Sequence, residues 1–404
     1  MISRKVLKTF PMRGVWIFLA ATGFLLSFPF GSVRANDQAP AVGAKTRTIE
    51  IPFTSHDGYE MFGKLTIPGS AAPHAVVVYV QNAEASTVDT KRQSLRGGTF
   101  NFFDLYREKL AELNVAFFSY EGRGVRMGDQ PPLYERIDWD VYNTSTLENK
   151  VRDILTAVHI VQKQPGVDAS RIFLMGTSEG TLLAAEAASR APKEIKGLIL
   201  SAVVSTTMRD VFKFTVTDGA YLTYLGLFDT DKDGKISKKE FEADPRKFRE
   251  RSLKNAGFEM FDRDGDGYFT IEEMRMRGKY IADAADAGNA DILNAWLKMA
   301  ATVSIPKDWV KDHLAHPPMW TFLSRLDMPV GIFHGTADTW TSVEGVRKLE
   351  DQAKKAGKSN LKFQYFEGAG HSLGIDPDLY FATGSLSEGH KAIFEYINSQ
   401  VRKR

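Results

Sequence analysis

The 404-residue chain contains no cysteine. That absence excludes a thiolate nucleophile, disulfides, thiolate zinc sites, iron–sulfur clusters and a lipid anchor attached through cysteine. Any metal must therefore be held by oxygen or by one of the eight histidines. An excess of one charge is also missing: 52 Lys and Arg stand against 50 Asp and Glu, a formal net charge of +2. Nucleic-acid binders carry a strongly basic face, so no nucleic-acid partner is expected. The hydrophobic share, 43%, is that of an ordinary globular chain, and the length permits a large core plus an insertion.

Long apolar runs are lacking too, with one exception. Gly14 to Phe30 (GVWIFLAATGFLLSFPF) is apolar but only 17 residues long, and Gly23 and Pro29 interrupt it. A bilayer span needs about 20. Arg4, Lys5, Lys8 and Arg13 precede the run, and Gly31-Ser32-Val33-Arg34-Ala35 follows it. Small residues at Val33 and Ala35 suit cleavage before Asn36, so residues 1–35 read as a signal peptide. Its removal takes five basic residues and no acids, leaving 47 against 50 and a net charge of −3. The expected product is exported, periplasmic or extracellular, with no stable membrane span after cleavage.

The mature chain opens with two alternating segments, 46–54 and 59–67, around Asp57-Gly58, a hairpin turn signal. Short apolar runs follow at 75–80, 115–119, 171–175, 197–203, 329–333 and 361–366. Such runs are buried on both faces in parallel sheets. Between them lie helix-period segments such as 147–163, where Val151, Ile154, Leu155, Val158 and Val161 share one face. This alternation predicts an α/β fold with a doubly wound, mostly parallel sheet. From about Thr206 to Trp320 no buried-strand run occurs and charge density rises. That stretch reads as a helical insertion, which divides the chain into a core of 36–206 and 321–404 and a helical cap over 207–320.

After the run at 171–175 stands Gly176-Thr177-Ser178-Glu179-Gly180, then the helix formers 181–188. This is G-x-S-x-G between a strand and a helix, the nucleophile elbow. The sharp turn strains the serine backbone, and the two glycines let strand and helix pass closely. Ser178 is thereby set at a helix N-terminus, where partial positive charge favours a developing oxyanion.

On these residues the chain resembles the α/β-hydrolase family of serine hydrolases, over about 46–206 and 321–404. The family order places the acid after a later strand and the histidine last. His334-Gly335-Thr336-Ala337-Asp338 resembles the acid turn, and Glu367-Gly368-Ala369-Gly370-His371 the histidine loop. The resemblance thus implies Ser178, Asp338 and His371 as catalytic, with Asp376 as second choice for the acid. Asp338 would hold the imidazole tautomer, and His371 would act as general base and then acid. The oxyanion hole would use the Glu179 N–H and one N–H from Gln81-Asn82-Ala83, where many relatives have His-Gly, which leaves Asn82 and Ala83 as alternatives. Tyr120-Glu121-Gly122-Arg123-Gly124 resembles a family turn, and we read it as a structural Glu–Arg corner. The other histidines, among them His159, His313, His316 and His334, read as structural.

The most specific pattern lies in the insertion. Residues 229–240 (DTDKDGKISKKE) and 262–273 (DRDGDGYFTIEE) both fit D-x-D-x-D-G-x5-E, the EF-hand loop. Asp229, Asp231 and Asp233, and likewise Asp262, Asp264 and Asp266, supply carboxylates at positions 1, 3 and 5. Lys235 and Tyr268 offer backbone carbonyls at position 7, Ser237 and Thr270 stand at position 9, and Glu240 and Glu273 close the shell. Ile236 and Phe269 at position 8 match a short strand pairing between the loops. Calcium is the expected cofactor, as a staple rather than a switch. Pro245 is expected to interrupt the exit helix of the first loop.

The expected activity is hydrolysis of an ester or related acyl bond on a small-molecule substrate. The alternatives are a serine peptidase of the aminopeptidase or dipeptidyl-peptidase type and an inactive calcium-dependent binding module. Oligomeric state is left open.

Overall fold

A computed structural model describes residues 46–70, 73–94, 97–244, 246–254, 256–300 and 304–402. The leader expected over 1–35 and Pro245 lie outside the described residues. Eight strands form the main sheet: β1 (Arg47–Thr54), β2 (Glu60–Ile67), β3 (His74–Val80), β4 (Ala116–Tyr120), β5 (Val167–Thr177), β6 (Gly197–Ser201), β7 (Val330–Gly335) and β8 (Leu361–Phe366). Each falls on one of the eight runs read from the sequence. Their order is β1-β2-β4-β3-β5-β6-β7-β8. β1 pairs antiparallel with β2 and β2 with β4, while every pairing from β4 onward is parallel. The β1–β2 hairpin turns over Ser55–Tyr59, with Gly58 at φ +86° and the Asp57 carboxylate accepting from the Tyr59 N–H.

Both faces of the sheet are covered, which is why the central strands have no polar alternation. On one face Val77, Phe117, Phe173, Met175, Ile199 and Phe333 pack with side chains of helix α1 (Phe102–Glu112) and of the C-terminal helix Glu388–Val401. The alternate positions Val76, Val78, Leu174, Leu198 and Ile332 are fully buried too. Helices α2 (Leu147–Gln162) and α3 (Glu179–Arg190) contact β5 and each other. Each fully buried aliphatic side chain contributes about 1.5–3 kcal/mol, so the parallel strands are the stability centre from which the loops project.

The described residues divide into two compact units, one within Phe212–Thr302 and the other within Gly23–Val211 and Val303–Arg404. The segment read as 207–320 is therefore shorter as a unit, and helix Trp309–Ala315, within Val303–Arg404, groups with the sheet. Its Trp309 and His313 are one turn apart and both buried, which accounts for the difference. The insertion follows β6, the sixth strand of the sheet. Among the described residues, no helix is long and apolar enough to cross a membrane.

The inserted unit is built on aromatics. Tyr224, Phe228, Phe241, Phe258, Phe261 and Phe269 form its core, with Phe228–Phe241 and Phe241–Phe261 ring centroids 4.9 Å apart. Helix Asp218–Phe228 enters the first acidic loop and Lys238–Ala243 leaves it. The second loop is entered by a single turn at Phe258–Met260 and left by Ile271–Asp286. The exit helix of the first loop ends at Ala243, with Asp244 in the left-handed conformation.

Candidate active site

Ser178 sits between β5 and α3 at φ +55°, ψ −125°, a conformation that costs about 1–3 kcal/mol and persists only where neighbours enforce it. The enforcement is visible. A Cβ on Gly176 would stand 2.3 Å from the Gly180 carbonyl oxygen, and one on Gly180 would stand 2.9 Å from the Val80 carbonyl oxygen. The Ser178 N–H donates to the Ser201 carbonyl at 3.1 Å, and Thr181 Oγ1 donates back to the Ser178 carbonyl at 2.6 Å. These contacts turn the strand into the helix within one residue.

Two strands further along the sheet, the turn after β7 presents Asp338, and the loop after β8 presents His371. His371 Nδ1 lies 2.8 and 3.0 Å from the two Asp338 carboxylate oxygens. Both oxygens have further donors: the Trp340 and Thr341 N–H groups reach one, at 2.8 and 3.0 Å, and Thr341 Oγ1 reaches the other at 2.7 Å. Asp338 is fully buried, while the His371 side chain keeps 23% of its surface exposed. Burial opposes ionisation of Asp338, but the His371 ring and these donors outweigh it and hold the carboxyl at about 2. Burial likewise opposes an imidazolium at His371, yet the Asp338 charge prevails and raises the ring above its usual 6.5. An ionised carboxylate at Nδ1 places the ring proton there and leaves Nε2 as a base. No side-chain hydrogen bond of Ser178 Oγ occurs among the described residues. Contacts of this kind are commonly long before substrate binds.

The rival assignments have other places. Asp376 caps helix Pro377–Thr383, accepting from the Leu379 N–H at 3.0 Å. His334 is fully buried, with Nδ1 accepting from the Val203 N–H and Nε2 3.1 Å from the Thr341 carbonyl. Arg123 binds Asp153 and Asp57 at 2.6–2.7 Å, and Glu121 binds Arg126, so that corner is a buried ion-pair hub.

Of the oxyanion candidates, Glu179 is the first residue of α3. Asn82 and Ala83 follow β3, and among the described residues neither of their N–H groups has an assigned acceptor. What the sequence did not reveal is the setting of the Glu179 side chain. Its carboxylate is buried against Lys150 Nζ (2.9 and 3.2 Å), Trp309 Nε1 (2.7 Å) and His313 Nε2 (2.8 Å). A buried carboxylate requires such partners, but nothing in the sequence says that they lie 29, 130 and 134 positions away.

In the inserted unit, Asp229, Asp231 and Asp233 bring carboxylate oxygens within 4.8 Å of one another, and so do Asp262, Asp264 and Glu273. Asp229 accepts from the Lys232 and Gly234 N–H groups, and Asp262 from those of Gly265 and Gly267. Ser237 and Thr270 cap the exit helices in reciprocal bonding with Glu240 and Glu273. Ile236 and Phe269 pair antiparallel, and Tyr221 Oη bridges the Gly234 and Phe269 carbonyls at 3.0 Å each. Asp266 and the carbonyls of Lys235 and Tyr268 belong to the same two loops. An all-oxygen donor set of this charge fits a hard divalent cation, calcium before zinc or copper.

The sequence profile described as serine aminopeptidase, S33 matches residues 97–217. That for the EF hand matches 223–243 and 255–276. No curated protein matches the chain. Among solved structures the chain is similar to Est1E from Butyrivibrio proteoclasticus, at 15% identity and TM-score 0.47, covering 88% of this chain and 99% of that one. It is also similar to an acylaminoacyl peptidase of Pyrococcus horikoshii, at 13% identity and TM-score 0.48, covering 89% of this chain and 42% of that one. Dipeptidyl peptidase 4 of Porphyromonas gingivalis gives 12% identity and TM-score 0.44, with 88% of this chain and 35% of that one covered. The chain thus spans less than half the length of the two peptidases.

Proposed function

From the premise that the chain has the α/β-hydrolase fold and carries an EF-hand pair, we propose that it is an exported serine hydrolase. It cleaves an ester or related acyl bond through Ser178, His371 and Asp338, with calcium held in the two EF loops. The observation that carries this reading is the strained Ser178 elbow on the same sheet as the Asp338–His371 pair. His371 Nε2 takes the Ser178 proton as Oγ attacks the acyl carbon, and the resulting oxyanion is bound by backbone N–H groups. The proton then passes to the leaving group, and water releases the acyl-enzyme by the same steps in reverse order. A panel of aryl esters of graded chain length beside aminoacyl and dipeptidyl amides tests it. Ester turnover supports the reading, and inertness toward the entire panel contradicts it.

A peptidase is the second reading, favoured by the serine aminopeptidase match over 97–217. Amide turnover exceeding that of matched esters at equal acyl group would select it.

The raised His371 pKa fixes the direction of the pH dependence. The base must be neutral, so kcat/KM should fall as pH drops through a value above 6.5. Asp338 stays ionised to about 2 and adds no limb in that range. An acid limb centred below 6 would contradict the Asp338–His371 coupling.

Calcium removal should act on the inserted unit. Extracellular EF modules bind at about 10⁻⁴–10⁻³ M, and ligand at about 100 times its dissociation constant adds roughly 2.7 kcal/mol per site. Two sites give roughly 5 kcal/mol, a melting shift on the order of 20 °C for a unit of this size. Without a cation, the clustered carboxylates repel one another. Calorimetry in chelator, and of the Glu240→Gln, Glu273→Gln double variant, should show that drop. Turnover of a small aryl ester at 25 °C should persist, because Ser178, Asp338 and His371 belong to the other compact unit. A melting temperature indifferent to chelator would rule the staple out.

A further inference from the structure

We propose that Lys150 is a positioning residue for the oxyanion hole, holding both of its walls from behind; the inference rests on the serine-hydrolase reading above. Lys150 projects from α2 with only 13% of its side chain exposed. Its ammonium donates to both carboxylate oxygens of Glu179, at 2.9 and 3.2 Å, and to the backbone carbonyl of Asn82 at 3.4 Å. Glu179 carries the first oxyanion N–H, and Asn82 lies in the loop that supplies the second. One cation therefore links two segments nearly 100 residues apart in sequence.

The link to Asn82 also orients a candidate second donor. In a trans peptide the C=O of one residue and the N–H of the next point in opposite directions. Fixing the Asn82 carbonyl on Lys150 fixes the Ala83 N–H on the other side of the loop. The next peptide is held through its N–H: that of Glu84 donates to Asn82 Oδ1 at 2.9 Å, while the Tyr142 hydroxyl gives its proton to the Ser304 carbonyl at 2.6 Å. Lys150 thereby orients the Ala83 N–H, one of the two candidate second donors.

Charge gives Lys150 a second task. The Glu179 carboxylate is buried one residue from the nucleophile, where negative charge opposes an oxyanion. Lys150 neutralises it and Trp309 Nε1 donates to Oε1 at 2.7 Å, with His313 Nε2 2.8 Å from the same oxygen.

The test compares Lys150→Met and Lys150→Arg with the wild type on an aryl ester and against phenylboronic acid, which forms a tetrahedral adduct with an active serine. Lys150→Met should lower kcat about 10²-fold, the range seen when one oxyanion donor is lost. It should weaken phenylboronic acid by a similar factor and leave KM within about threefold. Lys150→Arg, which keeps the charge and donors, should recover most of both. A kcat within a fewfold of wild type, or a fall in kcat with boronate affinity unchanged, overturns the proposal. Should Lys150→Met fail to fold, the Lys150→Met, Glu179→Gln pair removes both buried charges yet still frees the Asn82 carbonyl. It should keep the boronate deficit, and wild-type boronate affinity in that pair overturns the proposal. A wild type that neither turns over esters nor binds the boronate overturns the serine-hydrolase reading and this inference with it. An active, boronate-binding wild type with indifferent Lys150 variants overturns this inference alone.

Discussion

Replacing Ser178 with alanine should lower kcat by roughly 10⁶ on every substrate the chain turns over, the loss seen when a triad nucleophile is removed. The fold should not notice. Alanine keeps the Cβ, so the φ of +55° is no harder to hold than before. No hydrogen bond of Ser178 Oγ is lost among the described residues, and the bonds that build the elbow run through backbone atoms and Thr181. Circular dichroism and melting temperature should therefore match the wild type while steady-state turnover of an aryl ester falls to background. A variant retaining a tenth of wild-type activity would show that another residue carries the acyl group.

Asp338→Asn should cost about 10⁴ in kcat. An amide NH2 turned toward His371 cannot accept the Nδ1 proton, so the ring adopts the tautomer whose Nε2 is already protonated. The NH2 turned the other way would face the Trp340 and Thr341 N–H groups, which can only donate, so that orientation is disfavoured. The first orientation leaves every buried group paired, with the amide oxygen accepting from the Trp340 and Thr341 N–H groups and the NH2 donating to Nδ1 and to the Thr341 hydroxyl, so the loss of rate should come with little loss of stability. Asp376→Asn is the control: asparagine caps a helix about as well as aspartate, and kcat should change less than threefold. A crippled Asp376→Asn beside a mild Asp338→Asn would reverse the assignment.

Most of the scaffold was legible because burial on both faces of a parallel sheet leaves a continuous apolar run. All eight main strands fall on such runs or on the alternating pair before them. The small hairpins Lys91–Gln93 with Thr99–Asn101 and Val125–Met127 with Glu135–Ile137 were not legible. Three-residue strands are too short to show a periodicity. The acidic loops were the clearest because calcium coordination needs particular oxygens at particular steps along one short segment. Ser178, Asp338 and His371 were readable from the strands they follow. The surroundings of Glu179 were not, since Lys150 reads as one more charge on an amphipathic helix. Trp309 and His313 lie in a stretch that looks like part of the insertion, and no local rule connects either to a residue 130 or more positions earlier.

The most direct measurement is the site of covalent capture. Wild-type protein treated with a fluorophosphonate, digested and mapped by mass spectrometry, should carry one adduct on the peptide containing Ser178, with none after Ser178→Ala. An adduct on a different residue, or no adduct on protein that turns over esters, would contradict the account.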